Sequence, residues 1–83
     1  MNRKFEETTE KLSQVFHNAR KVGGYAPEII AMIKALYKKK LEIISLMRKG
    51  LRCLKEQIDT LTEAFYQEVS ILHYHLFQPE LGR

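Results

Sequence analysis

The stretch from Pro27 to Phe77 constrains the fold most, because a run of about fifty residues passes there without another proline. Apolar residues recur along it from Ile30 to Leu72 in alternating steps of three and four, with polar residues at a few of these positions. This spacing is typical of the heptad seam of a helix that packs on other helices. A single helix of this length would span about 75 Å. The sequence therefore predicts an all-α protein dominated by a very long second helix.

Residues 3 to 22 predict a first, much shorter helix. Phe5, Leu12 and Ala19 are spaced by seven and define one apolar face. Acidic residues lie toward its start and basic residues at its end, as the helix dipole prefers. Residues 23 to 26 predict a turn, and the proline that follows suits the first position of a helix. Because so short a connection usually joins antiparallel neighbours, we expect the first helix to fold back along the second.

The single glycine inside the long stretch, Gly50, leaves two arrangements open. Residues 48 to 51 resemble a helix end, with basic residues followed by a capping glycine. Against a break, no helix-capping side chain follows, and the apolar stripe keeps its phase through Met47, Leu51 and Leu54. A glycine inside a helix costs only about 1 kcal/mol relative to alanine. We therefore favour a continuous or slightly bent helix over 27 to 77, and keep a monomeric three-helix bundle that turns at Gly50 as the alternative.

The whole chain, residues 1 to 83, is interpreted as a single helical domain. The residue before Pro79 resists the helical region, so the second helix should end by residue 77 or 78 and leave a short tail over 78 to 83. Chains of this size bury a modest core and are often completed by oligomerisation.

Charge is divided unevenly along the predicted second helix. Residues 27 to 55 hold eight basic and two acidic residues, whereas residues 56 to 83 hold five acidic and one basic residue. Opposite signs favour an antiparallel pairing of the two halves. In a three-helix monomer this pairing forms within one chain, and in a dimer it forms between two.

Apolar residues beside the seam make the second helix wider than a two-stranded coil requires. Each large apolar side chain left exposed forgoes about 1.5 to 3 kcal/mol. We therefore expect an antiparallel assembly with a helical partner, either a second copy or another helical protein. The expected partner interface comprises Ile44, Met47, Leu51, Leu54, Ile58, Leu61, Phe65 and Leu72. Such a dimer is similar in architecture to membrane-curving helical dimers of the BAR type, a similarity that no diagnostic residue carries.

The basic residues of the second helix suggest a second kind of surface, one that binds anions. The candidates are Lys34, Lys38, Lys39, Arg48, Lys49, Arg52 and Lys55. Consecutive lysines point in different directions around a helix, so we favour a solvated face that pairs with the acidic half. An anionic membrane surface ranks next. Nucleic acid ranks last, since aromatic residues that would stack on bases are not interleaved with the cluster, Tyr37 apart.

No arrangement of residues indicates catalysis. There is no phosphate-binding loop, no Ser/His/Asp set and no carboxylate pair beside a histidine. His73 and His75 are two apart, so on a helix they point away from each other and make a poor metal pair. We predict no catalytic, cofactor-binding or metal-binding residue.

Localisation and function follow from the same features. The lone Cys53 suggests a reducing compartment, the charged N-terminus does not resemble a secretory signal, and no apolar run approaches the roughly 20 residues of a membrane span. We therefore expect a cytoplasmic protein. The predicted function is that of a non-enzymatic oligomerisation, adaptor or regulatory protein that acts through protein–protein contacts.

Overall fold

Three α-helices form the protein in the computed structural model, which describes residues 3–21 and 25–77. They are α1 (Arg3–Lys21), α2 (Pro27–Lys49) and α3 (Lys55–Phe77), with a 3₁₀ turn over Arg52–Leu54 before α3. No strand occurs within the described ranges, so the prediction of an all-α fold is confirmed. The glycines of the predicted first turn and the predicted tail over 78 to 83 lie outside the described residues.

The long helix ends at Gly50, so the prediction of one helix over 27 to 77 is wrong. Gly50 adopts the left-handed conformation, with φ 62° and ψ 21°, and its N–H donates to the Met47 carbonyl at 3.1 Å. Leu51 is extended, and the N–H of Leu54 donates to the Leu51 carbonyl at 3.0 Å to close the 3₁₀ turn. Only glycine adopts positive φ without strain, which explains the helix end. The turn at Gly50, which the sequence left open as the alternative, is therefore present. The continuous helix on which the similarity to BAR-type dimers depended is absent.

The register of the helices follows from a few side-chain contacts. Lys4 Nζ lies 2.8 Å from Glu63 Oε1, and Gln14 Oε1 lies 3.2 Å from His73 Nε2. The two residues of each pair are 59 positions apart in the sequence. Because this offset stays constant from one end of α1 to the other, α1 and α3 run parallel. α2 runs in the opposite direction between its two turns. The ring of Phe16 on α1 meets the ring of Tyr37 on α2 edge-on, with centroids 5.8 Å apart.

The core draws on all three helices. The face of α1 spaced by seven is buried as predicted, with Leu12 fully inaccessible. The buried apolar cluster comprises Phe5, Leu12, Val15, Ile33, Leu36, Ile43, Phe65, Val69 and Leu72. Because α3 folds back onto α2, most of the apolar surface that was expected to need a partner is covered within the chain.

One end of the molecule extends beyond α1. Since Lys4 lies level with Glu63, the first residue of α1 lies level with Thr62. Residues 55 to 61 and the turn before them therefore project about 10 Å further, at 1.5 Å per residue. We call residues 48 to 55 the tip. The molecule measures 49 Å along its longest axis, well short of the length expected of a continuous helix.

Candidate interaction surfaces

The eight residues predicted as a partner interface divide into three groups. Phe65 and Leu72 are buried in the core of the chain itself, because α3 packs on both other helices. Leu51 is 54% exposed and Leu54 is half-buried, both at the tip. The other four pack partly buried against the core: Ile44, Met47, Ile58 and Leu61. Six of the eight thus gather toward the Gly50 end, where their contact with a partner stays a prediction.

An open groove with a mostly apolar lining lies between α2 and α3. Its volume is about 480 Å³. It is lined by Ile29, Met32, Ala35, Leu36, Glu68, Ile71, Leu72, His75 and Leu76. Leu36 and Leu72 belong to the core, whereas Met32 is 47% and Ile71 58% exposed. We call this surface the α2–α3 groove. A concave apolar surface with exposed walls is typical of an interaction site.

Helical spacing explains why these side chains share one surface. Ile29, Met32 and Leu36 are three and four residues apart, and therefore lie on one stripe of α2. Ile71 and His75 are four apart on α3. In the sequence, Ile29, Met32, Leu36 and Ile71 are apolar residues beside the seam that widen the apolar surface. The signal that could have singled them out is the second apolar stripe of α2, which runs beside the seam.

Charge is scarce in the α2–α3 groove. Glu68 contributes a carboxylate to its lining, and Lys39 Nζ lies 3.1 Å from Glu68 Oε2. This ion pair offsets the one negative charge at that position. Depletion of charge at the centre is the compositional mark of protein–protein interfaces.

The predicted anion-binding residues do not form one surface. Lys34 and Lys38 are exposed in the first half of α2, and Lys39 is engaged with Glu68. The other four surround Gly50 at the tip: Arg48, Lys49, Arg52 and Lys55. Arg48 and Lys49 also border a shallow depression of about 380 Å³ with Leu41, Ile44 and Ser45. Of the predicted anion-binding residues, those at the tip therefore lie closest together.

The α1–α3 seam carries a second set of polar contacts. Lys4 and Lys11 place their ammonium groups 4.6 Å and 5.7 Å from the Tyr66 ring centroid. The hydrogen bond to Glu63 raises the pKa of Lys4 above its ordinary value. The same bond is the main reason that the pKa of the Glu63 carboxyl is lowered. These side chains are engaged with one another, so they act as a link between the helices.

The two neighbouring histidines have different surroundings. His73 stacks on Phe77, with ring centroids 4.4 Å apart, whereas His75 meets Tyr74 edge-on. Burial, followed by the nearby charge of Lys11, lowers the pKa of His73 below its ordinary value of 6.5. Within residues 3–21 and 25–77, no three His, Cys, Asp or Glu side chains come together in a way that could hold a metal ion.

Over the same part of the chain, none of the helices combines the length and the apolar character needed to cross a membrane. No protein-family model, no curated protein and no solved structure matches this chain.

Proposed function

We propose that this protein is a non-enzymatic protein–protein interaction module that associates with a second copy of itself through the α2–α3 groove. One observation carries the proposal. Met32 and Ile71 stand 47% and 58% exposed on either side of an apolar groove whose floor is Leu36 and Leu72. Removing such side chains from water is worth about 25 cal/mol for each Å² of apolar area, which favours a covered state.

A second copy fits this surface because the same face holds both a cavity and protruding side chains. A twofold dimer uses one patch on both copies, so that patch must be complementary to itself. In the proposed dimer, Met32 of each copy enters the groove of the other beside Ile71. The formal charge of each copy is +4, and a contact face poor in charge keeps most of the repulsion away from the interface.

The position of the groove favours an antiparallel dimer. It lies near the start of α2 and the end of α3, at the opposite end of the bundle from the tip. A twofold axis across the groove and perpendicular to the helices sends the two basic tips to opposite ends. A parallel arrangement would place the tips side by side, where their charges repel.

The overlap in this arrangement is small. About fourteen residues of each helix lie within it, so each copy contributes a face about 20 Å long and about 20 Å wide. A total buried area of about 800 Å² belongs with transient interfaces. We therefore expect a dissociation constant of about 100 μM, equivalent to roughly 5 to 6 kcal/mol.

The test follows the methionine methyl signals by NMR as labelled protein is diluted from about 1 mM to about 10 μM, a range that spans the expected dissociation constant. The Met32 methyl signal should shift with concentration, whereas the signal of Met47, which packs against the core, should stay in place. In Met32→Glu the Ile71 methyl signal should no longer depend on concentration. In the control Leu41→Glu, on an exposed side chain outside the groove, that dependence should persist. Concentration-independent Met32 and Ile71 signals would refute self-association.

The proposal includes a cytoplasmic location. Cys53 is a free, exposed thiol, which is compatible with a reducing compartment. The cations around Gly50 favour a second function, contact with an anionic surface, and they do so independently of the groove.

A further inference from the structure

We propose that the tip docks on the surface of a lipid bilayer that contains anionic lipids, with Leu51 inserted between the headgroups. Between Ile43 and Lys55 the chain holds four basic residues and no acidic residue. This inference is independent of self-association through the α2–α3 groove, because it uses the opposite end of the bundle.

The backbone of the tip holds Leu51 outside the helices. The left-handed Gly50 ends α2, and Leu51 then takes an extended conformation, with φ −90° and ψ 130°. Its side chain is 54% exposed, so the core does not use it fully. An aliphatic side chain presented in this way can enter the boundary between headgroups and acyl chains, as the apolar faces of interfacial segments do.

Cations flank Leu51 on both sides. Arg48 and Lys49 precede it and Arg52 follows it, and all three are exposed. They form no ion pair with any residue in the described part of the chain. Lys55 is bound to Asp59 at 3.1 Å. Three cations are therefore directly available to lipid phosphates.

Acidic residues and a further apolar side chain border this group. Glu42 lies before it on α2, and Glu56 follows Lys55 on α3. Leu41, which is 64% exposed, lies on the α2 stripe that leads through Ser45 to Arg48. Two exposed apolar side chains, Leu41 and Leu51, thus lie near the cations at the end of the bundle.

The tip is also well placed to meet a flat surface. It projects about 10 Å past the start of α1, at 1.5 Å per residue. A planar bilayer can therefore reach Leu51 and its flanking cations without first meeting α1. The net attraction of a cation to an anionic leaflet falls off within a Debye length of about 8 Å, so the cations at the tip matter most.

A nucleic acid suits the tip less well than a bilayer. No aromatic residue lies between Tyr37 and Phe65, so the tip lacks the rings on which single-stranded bases stack. Its cations occupy the end of the bundle. An exposed leucine can be buried among lipids at a bilayer surface, whereas a phosphate backbone offers it no apolar contact.

The experiment uses Cys53, the only cysteine of the chain, as the attachment point for an environment-sensitive fluorophore. Labelled protein is titrated with vesicles of phosphatidylcholine alone and with vesicles in which about 30% of the lipid is phosphatidylserine, one of the anionic lipids that give the cytoplasmic leaflet its negative surface potential. We expect a blue shift with the anionic vesicles, little change with the neutral ones, and weaker binding as salt rises. Sedimentation of unlabelled protein with the same vesicles checks that the label is not the cause.

Variants separate charge from insertion. Lys49→Gln combined with Arg52→Gln should weaken binding about 25-fold, since each cation near the surface contributes about fivefold. The matched control, Lys34→Gln with Lys38→Gln, removes the same charge more than a Debye length from the tip and should change binding less than about twofold. Leu51→Ser keeps the charge and should weaken binding up to about tenfold.

Three results would overturn the proposal. The first is equal binding to neutral and anionic vesicles. The second is equal weakening by the tip pair and the control pair, which would indicate that net charge alone acts. The third is tighter binding of an oligonucleotide than of anionic vesicles at the same salt concentration, which would assign the tip to nucleic acid. Circular dichroism of each variant confirms that the helices are intact.

Discussion

Lys39 on α2 and Glu68 on α3 form an ion pair, with 3.1 Å between Nζ and Oε2, across a sequence separation of 29 residues. The pair joins the basic half and the acidic half of what the sequence presents as one long helix. Opposite charges therefore do meet in an antiparallel arrangement, and they do so within a single chain. Both side chains are partly exposed, so this contact marks the register of α2 against α3 more than it stabilises the fold.

The first prediction concerns this pair. Lys39→Glu places two carboxylates together and should lower the free energy of unfolding by about 0.5 to 1 kcal/mol, because an exposed pair is worth no more than this. The exchanged double variant, Lys39→Glu with Glu68→Lys, should recover most of the loss in urea unfolding. If the exchange recovers nothing, the two side chains do not interact in solution.

The second prediction concerns the turn at Gly50. The sign of the change in the free energy of unfolding distinguishes a turn at this position from a continuous helix. Gly50→Ala forces a side chain into the left-handed region and should lower the free energy of unfolding by about 1 to 2 kcal/mol. No atom lies within 4 Å of the position of an added Cβ, so the cost comes from the backbone alone. Gly50→Asn should cost less, because asparagine tolerates this conformation. In a continuous helix, Gly50→Ala would instead stabilise the protein by about 1 kcal/mol and add helical signal.

The third prediction uses two buried threonines that differ in one hydrogen bond. Thr62 is 2% exposed, and its hydroxyl has no partner among the described residues. Thr8 is fully buried, and its hydroxyl donates to the Lys4 carbonyl at 2.7 Å. Thr62→Val should therefore raise the free energy of unfolding by about 1 kcal/mol, whereas the control Thr8→Val should lower it by about 1 kcal/mol. Equal effects of the two changes in urea unfolding would show that the hydroxyl of Thr62 is hydrogen-bonded.

The fourth prediction concerns pH. Burial lowers the pKa of His73 in the folded state below its ordinary value of 6.5, so folding favours the neutral ring. The associated stability is complete above pH 6.5 and is lost as the pH falls through the folded-state pKa. The free energy of unfolding should therefore decline as the pH falls below about 6.5, with a smaller decline in His73→Gln. Identical pH profiles for the two proteins would exclude a contribution from His73.

The sequence predicts the helical class, the buried face of α1 and the charges that pair α2 with α3. It misleads at Gly50 for a physical reason. The half-buried Met47 and Leu54 lie on either side of the tight turn, and the exposed Leu51 falls between them at heptad spacing. The three residues therefore keep the phase of the stripe although the helix ends. The side-chain cap expected for a new helix is replaced by the 3₁₀ turn, whose hydrogen bond needs no particular side chain.

The surfaces are harder to predict than the helices. Periodicity identifies the apolar stripes but does not say which neighbour covers them. Phe65 and Leu72 are therefore interpreted as a partner interface although the chain buries them itself. Met32 and Ile71 lie beside the seam, and their spacing does not predict that they stay exposed, because the opening of the α2–α3 groove depends on how closely two helices approach. The cations around Gly50 become a cluster only once the turn gathers them at one end.

The most direct test of the self-association account is the solution mass by light scattering, measured from about 10 μM to about 1 mM around the expected dissociation constant. The mass should rise from the 9.8 kDa of one chain toward twice that value, and Met32→Glu should stay near 9.8 kDa at every concentration while Leu41→Glu follows the unmodified protein. A mass of 9.8 kDa for the unmodified protein throughout this range would contradict the account, and so would an undiminished rise in Met32→Glu.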